Sequence, residues 1–185
     1  MPTRSSLYGT DGCPSGWVVC NLDAAHTRIE TTVHVGILDV LRQLDGNDVL
    51  VIDIPIGLLP ERVPGGRECD RIARRLIGPR RSSVFSAPCR PALRANGWDE
   101  ARAFGLTKQG HAILPKIAAV DKGIDPVRQE HVREGRPELA FAWMAGRPMR
   151  HKKKSAAGRE ERLAALAAAG QTLDSAPFRD ILISP

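Results

Sequence analysis

Aromatic residues are scarce, with Phe, Trp and Tyr together at 4% of the 185 residues. Base-stacking platforms for single strands are therefore few, which weakens any reading as a sequence-specific single-strand binder. No apolar run approaches the roughly 20 residues needed to cross a bilayer. Residues 1–6 are short and polar and carry no signal-peptide core. These absences point to a cytoplasmic chain with no membrane partner. The four cysteines, Cys13, Cys20, Cys69 and Cys89, contain no C-x-x-C pair, and Cys and His do not cluster as in a zinc site. Free and mostly buried thiols are expected. A G-x-x-x-x-G-K-[ST] loop is also absent, which counts against ordinary P-loop use of ATP.

Positive charge is in excess, with a formal net charge of +6 and a pI of about 9.5. That balance favours an anionic partner such as nucleic acid. The charge is uneven. Arg71, Arg74, Arg75, Arg80 and Arg81 form one cluster, and Arg147, Arg150, Lys152, Lys153 and Lys154 form another. Each cluster reads either as a partner surface or as a solvated face. Hydrophobic residues at 42% and charged residues at 26% are ordinary for a globular protein. The length suits a single domain over residues 1–185 with a full core.

Residues 7–11 and 17–22 read as strands around a turn at Gly12, Pro14, Ser15 and Gly16, and residues 28–35 as a β-branched third strand. An antiparallel meander is expected. A helix near 36–45 follows, with Ile37, Val40, Leu41 and Leu44 on one face. Residues 49–54 are apolar on both faces, the pattern of a central parallel strand covered on each side by helices. Residues 67–77 form an amphipathic helix, with Cys69, Ile72, Ala73, Leu76 and Ile77 inward and Asp70, Arg71, Arg74 and Arg75 outward. Residues 79–98 read as a loop. Residues 108–122 read as a helix interrupted at Pro115, and 129–134 as a short strand. Helices are expected from Pro137 to about Ala145, over 157–170, and over 175–183.

Two acids stand out on this framework. Asp53 lies near the carboxyl end of an apolar strand, and Asp11 at the end of the first strand. Open α/β sheets place their ligand sites at such ends. A carboxylate there is costly unless it is paired, hydrogen-bonded or bound to metal. If strands one and four are adjacent and parallel, the two converge as an oxygen pair suited to a hard cation. The alternative is that Asp11 caps its turn and Asp53 the following loop.

Several stretches resemble the motifs of domain-of-unknown-function family 429. Gly9-Thr10-Asp11-Gly12-Cys13-Pro14-Ser15-Gly16-Trp17 resembles its opening G-x-D-G-C-x-x-G-W, and Ile52-Asp53-Ile54-Pro55-Ile56-Gly57-Leu58 its second motif. Arg67–Arg74 and Ser82–Arg90 are similar to its third and fourth. Gln109 with Pro115-Lys116-Ile117, Glu134-Gly135-Arg136-Pro137-Glu138 with Phe141, and Lys152-Lys153-Lys154 with Gly158-Arg159 and Arg162-Leu163 resemble later segments. The likeness covers about residues 8–170.

The resemblance implies a ribonuclease-H-like α/β fold: a mixed sheet, three-strand antiparallel meander plus parallel strands, flanked by helices. Its members are commonly described as predicted nucleases. It implies Asp11, Asp53 and Glu134 as catalytic carboxylates and ligands for Mg²⁺ or Mn²⁺. Arg67, Arg74, Arg81 and Arg90 become candidates for gripping phosphate. Ser83 is a candidate or a turn hydroxyl, and Lys116 a phosphate contact or a solvated lysine. Glu138 is either a substitute for Glu134 or a first-turn acid favoured by the helix dipole. Two departures stand out. Arg136 replaces a histidine, and the family's late D-D-x-x-D-A motif is poorly matched by Asp174 and Asp180. The expectation is a domain wanting its C-terminal helix, or one in which these acids substitute. Three functions stay open: a metal-dependent nuclease or phosphodiesterase, an inactive nucleic-acid-binding module, and a small-molecule phosphoryl-transfer or hydrolytic enzyme.

Overall fold

The computed structural model describes residues 5–25 and 28–170. The chain divides into two compact units. The first comprises Met1–Asp70 and Phe85–Gly135, and the second Arg71–Val84 and Arg136–Pro185.

The first unit is built on a five-stranded mixed sheet of order β3-β2-β1-β4-β5. Strand β1 (Leu7–Cys13) turns tightly through Pro14 and Ser15 into β2 (Gly16–Leu22), which pairs with β3 (Ile29–His34). These three form the expected antiparallel meander. Gly16 makes the tight turn, with φ of 137° and a site where any Cβ would collide with the His34 carbonyl. Strand β4 (Val49–Ile52) lies parallel to β1, and β5 (Val132–Glu134) parallel to β4.

Residues Leu50, Ile52, Trp17, Val19 and Val132 alternate onto one sheet face and are buried. Helices α1 (Ile37–Arg42) and α4 (Lys108–Gly123) bring Ile37, Val40, Leu41, Ile117 and Val120 into the same cluster. Both helices therefore cover the Leu50–Ile52 face. Its opposite is less covered than the doubly apolar run suggests, because Val51 stays 43% exposed.

Helix α4 runs unbroken through Pro115, contrary to the expected interruption, and Thr107 caps it by accepting from the Gly110 N–H at 3.1 Å. The expected loop over 79–98 instead contains two 3-10 turns, Gly78–Ser83 and Arg90–Arg94. It is followed by α3 (Trp98–Ala103), a short helix that the pattern did not mark.

In the second unit, Ala73, Ile77 and Val84 pack with Leu139 and Ala142. Ala73 and Ile77 belong to α2 (Glu68–Ile77) and Leu139 and Ala142 to α5 (Pro137–Met144). Helix α6 (Ala156–Ala168) completes the described part. Helix α2 departs from its amphipathic reading. Ile72 and Leu76 are exposed, whereas Asp70 is fully buried, so the inward line is Asp70, Ala73 and Ile77. The charge of Asp70 is met by Arg67, which is what lets it turn inward. The expected helix over 175–183, with Asp174 and Asp180, lies outside the described residues. Among the described residues no helix is long and apolar enough to cross a membrane.

Candidate functional site

The sheet register decides where the acids stand. Thr10 of β1 pairs with Ile52 of β4, and Ile52 with Glu134 of β5. The Asp53 N–H donates to the Thr10 carbonyl at 3.1 Å, carrying the ladder one residue further. Asp11 and Asp53 are thus the next residues on two adjacent parallel strands, whose backbones run about 5 Å apart. Both are exposed. Asp11 is inside β1, two residues before the turn, and one carboxylate oxygen accepts from the Gly12 N–H at 2.7 Å.

Glu134 stands one step out of phase with this pair. It shares the row of Thr10 and Ile52, both buried, and alternation sends its side chain to that same face. There its carboxylate is fully engaged. Arg67 Nη1 donates to Oε2 at 2.7 Å, Arg67 Nη2 to Oε1 at 2.8 Å, and the Ile56 N–H to Oε2 at 2.9 Å. The expected three-carboxylate cage is therefore not formed, because a one-residue phase shift in a strand reverses the face. Among the described residues no group of three His, Cys, Asp or Glu side chains converges to hold a metal.

Arg67 also binds Asp70, through Nε at 3.2 Å and Nη2 at 2.8 Å, and its Nη1 reaches the Ile56 carbonyl at 2.6 Å. All five of its N–H groups are thereby used within the protein. Side chains of Arg67 and Asp70 are 5% and 0% exposed. Burial alone would lower the Arg67 pKa, but the hydrogen bonds and charges of Glu134 and Asp70 outweigh it and raise it. Instead of offering a fork to phosphate, Arg67 ties the start of α2 to the end of β5. Gly66, at φ of 79°, supports this approach, since a Cβ there would lie 3.3 Å from an Asp70 carboxylate oxygen.

The remaining candidates are dispersed. Lys116 donates to the Gly16 carbonyl at 2.6 Å and sits 4.8 Å from the centroid of the Trp17 ring. A Cβ on Gly12 would lie 2.7 Å from the Lys116 stem, so glycine in the opening motif leaves room for that lysine. Arg90 forms a two-pronged pair with Asp121 at 3.2 and 2.9 Å, yet remains 59% exposed. Arg74, Arg81 and Ser83 belong to the second unit, where Arg81 and Ser83 are exposed and Arg74 is half-buried. Glu138 also lies there and is clamped by two arginines: Arg80 Nε at 3.0 Å, and Arg162 Nη2 at 2.8 Å to both oxygens. Of the four free thiols only Cys89 is buried, and Cys69 is exposed.

Sequence reasoning missed the Arg67–Asp70–Glu134 network. Its signal was present in the spacing, because Arg67 and Asp70 sit three apart at a helix start, where side chains meet.

The geometry defines a class first: a mixed α/β sheet presenting two exposed carboxylates on adjacent parallel strands, Asp11 within β1 and Asp53 just past the end of β4. The chain belongs to the family described as Protein of unknown function (DUF429), whose family model matches residues 9–182. No curated protein and no solved structure matches it.

Proposed function

We propose that this protein is a divalent-metal-dependent phosphodiesterase acting on nucleic acid, with Asp11 and Asp53 as its ligand pair. The observation that carries the reading is their register: two exposed carboxylates on neighbouring parallel strands, at the edge where α/β sheets place ligands. The donor set fits Mg²⁺ or Mn²⁺. Such hard ions are held by one or two carboxylates and complete their shells with water and substrate phosphate oxygens. When bound, the ion would polarise a phosphoryl oxygen and lower the pKa of a coordinated water.

The chain's own residues supply placement. Asp11 and Asp53 would hold the ion beside the carboxyl end of β4, between the two central strands. The Gly12 N–H bonded to one Asp11 oxygen restrains that carboxylate. Glu134 acts as a positioning residue, because it accepts from the Ile56 N–H while Arg67 donates to the Ile56 carbonyl, and together they hold the chain leaving Asp53. Its engagement is also what favours the second reading, a nucleic-acid-binding module without catalysis, since Glu134, the third carboxylate that the resemblance implies, is spent on Arg67 and the Ile56 N–H.

The test is cleavage of labelled DNA, RNA and a nucleotide panel by purified protein with Mg²⁺ or Mn²⁺. Metal-dependent cleavage that falls to background in Asp11→Asn and in Asp53→Asn supports the reading. Cleavage that survives both substitutions refutes the site, and binding without any cleavage selects the second reading.

A further inference from the structure

Residues 147–154 of the second unit, Arg-Pro-Met-Arg-His-Lys-Lys-Lys, hold five lysines and arginines and no acid. They connect α5 to α6, and the segment is pinned from below at several points. The Glu161 carboxylate accepts from the N–H groups of Arg150 and His151, each at 3.0 Å, and from Arg147 Nη1 at 2.6 Å. These bonds hold the Glu161 pKa down at about 2, even though burial acts to raise it. Met149 is 1% exposed and anchors the middle. The Ser155 hydroxyl donates to the Lys152 carbonyl at 2.8 Å and accepts from the Gly158 N–H at 3.1 Å. A Cβ on Gly158 would collide with the Lys152 carbonyl oxygen, so the segment lies directly on the first turn of α6.

The one carboxylate in this arrangement is spent on the backbone and on Arg147. Lys152, Lys153 and Lys154 are exposed, and among the described residues none pairs with them. They precede the N-terminus of a 13-residue helix that has no acid in its first turn. Cations at that end oppose the helix macrodipole, so the arrangement works against folding stability by itself. A local rule broken with no internal compensation points to function.

We propose that the 147–154 segment is a preformed docking surface for the phosphate backbone of nucleic acid. Nucleic acid is favoured over an anionic membrane because the segment's apolar side chain, Met149, is turned inward and leaves no wedge to insert between lipids. The surface stands on its own observations and does not require the carboxylate pair.

The experiment measures binding of labelled duplex DNA and RNA to the full chain in EDTA, by fluorescence anisotropy across a salt series. Changing Lys152, Lys153 and Lys154 together to Gln should weaken binding at least about tenfold. It should also reduce the log–log salt slope by about 0.9 per lost phosphate contact, roughly three in all. The readout is binding in EDTA and not metal-dependent cleavage, so failure here and failure of the carboxylate site are separable. Glu161→Gln removes a negative charge but releases the segment. Weaker binding supports a preformed surface, and tighter binding shows that charge alone is read. No binding by the parent, an unchanged salt slope in the lysine variant, or equal binding to phosphatidylserine vesicles overturns the proposal.

Discussion

The two units solve the same electrostatic problem with opposite signs. In the first, one buried arginine, Arg67, lies between two carboxylates, Asp70 and Glu134. In the second, one carboxylate, Glu138, lies between two arginines, Arg80 and Arg162. Each network satisfies its members, one through a shared arginine and the other through a shared carboxylate. The candidate sites follow the same division, with exposed Asp11 and Asp53 in the first unit and exposed Lys152, Lys153 and Lys154 in the second. In each unit the charges that face solvent carry the proposed function, while the buried ones hold the backbone that presents them.

The largest effect that would break this comparison is on stability. Replacing Arg67 by Met removes the arginine that both Asp70, fully buried, and Glu134, half-buried, bind. A cost of about 3–5 kcal/mol is expected, read from urea unfolding. A loss under about 1 kcal/mol would show that the network is not structural.

A smaller effect sharpens the second unit. The Glu161 carboxyl is held near 2, against an ordinary value of 4.5. A depressed pKa contributes stability that is fully present above the unfolded value and is lost as pH falls through the folded one. Stability from this anchor should therefore decline as pH falls from about 4.5 towards 2. Glu161→Gln should flatten that part of the pH–stability curve. An unchanged curve would place the acid sensitivity elsewhere.

Much of the fold was legible because period and composition reported real burial. The meander, β4, α4 and α6 stand close to where their patterns indicate. Other features depended on contacts that periodicity does not carry. Helix α2 looked amphipathic about Ile72 and Leu76, but the pairing of Asp70 with Arg67 moved its buried line by a fraction of a turn. Pro115 signalled a break, yet α4 continues through it with Leu114 and Ile117 buried on either side. In the site, strand ends alone left Asp11 and Asp53 open between ligands and turn caps, and the family resemblance favoured ligands. The face of Glu134 was not legible, because the β4–β5 register is a tertiary fact.

The most direct test of the central claim, that Asp11 and Asp53 rather than Glu134 hold the cation, is calorimetric titration of Mn²⁺ into folded protein. The account predicts a binding event that vanishes in Asp11→Asn and Asp53→Asn but persists in Glu134→Gln, with folding of each variant verified by circular dichroism. Binding that survives both aspartate substitutions and vanishes in Glu134→Gln would contradict it.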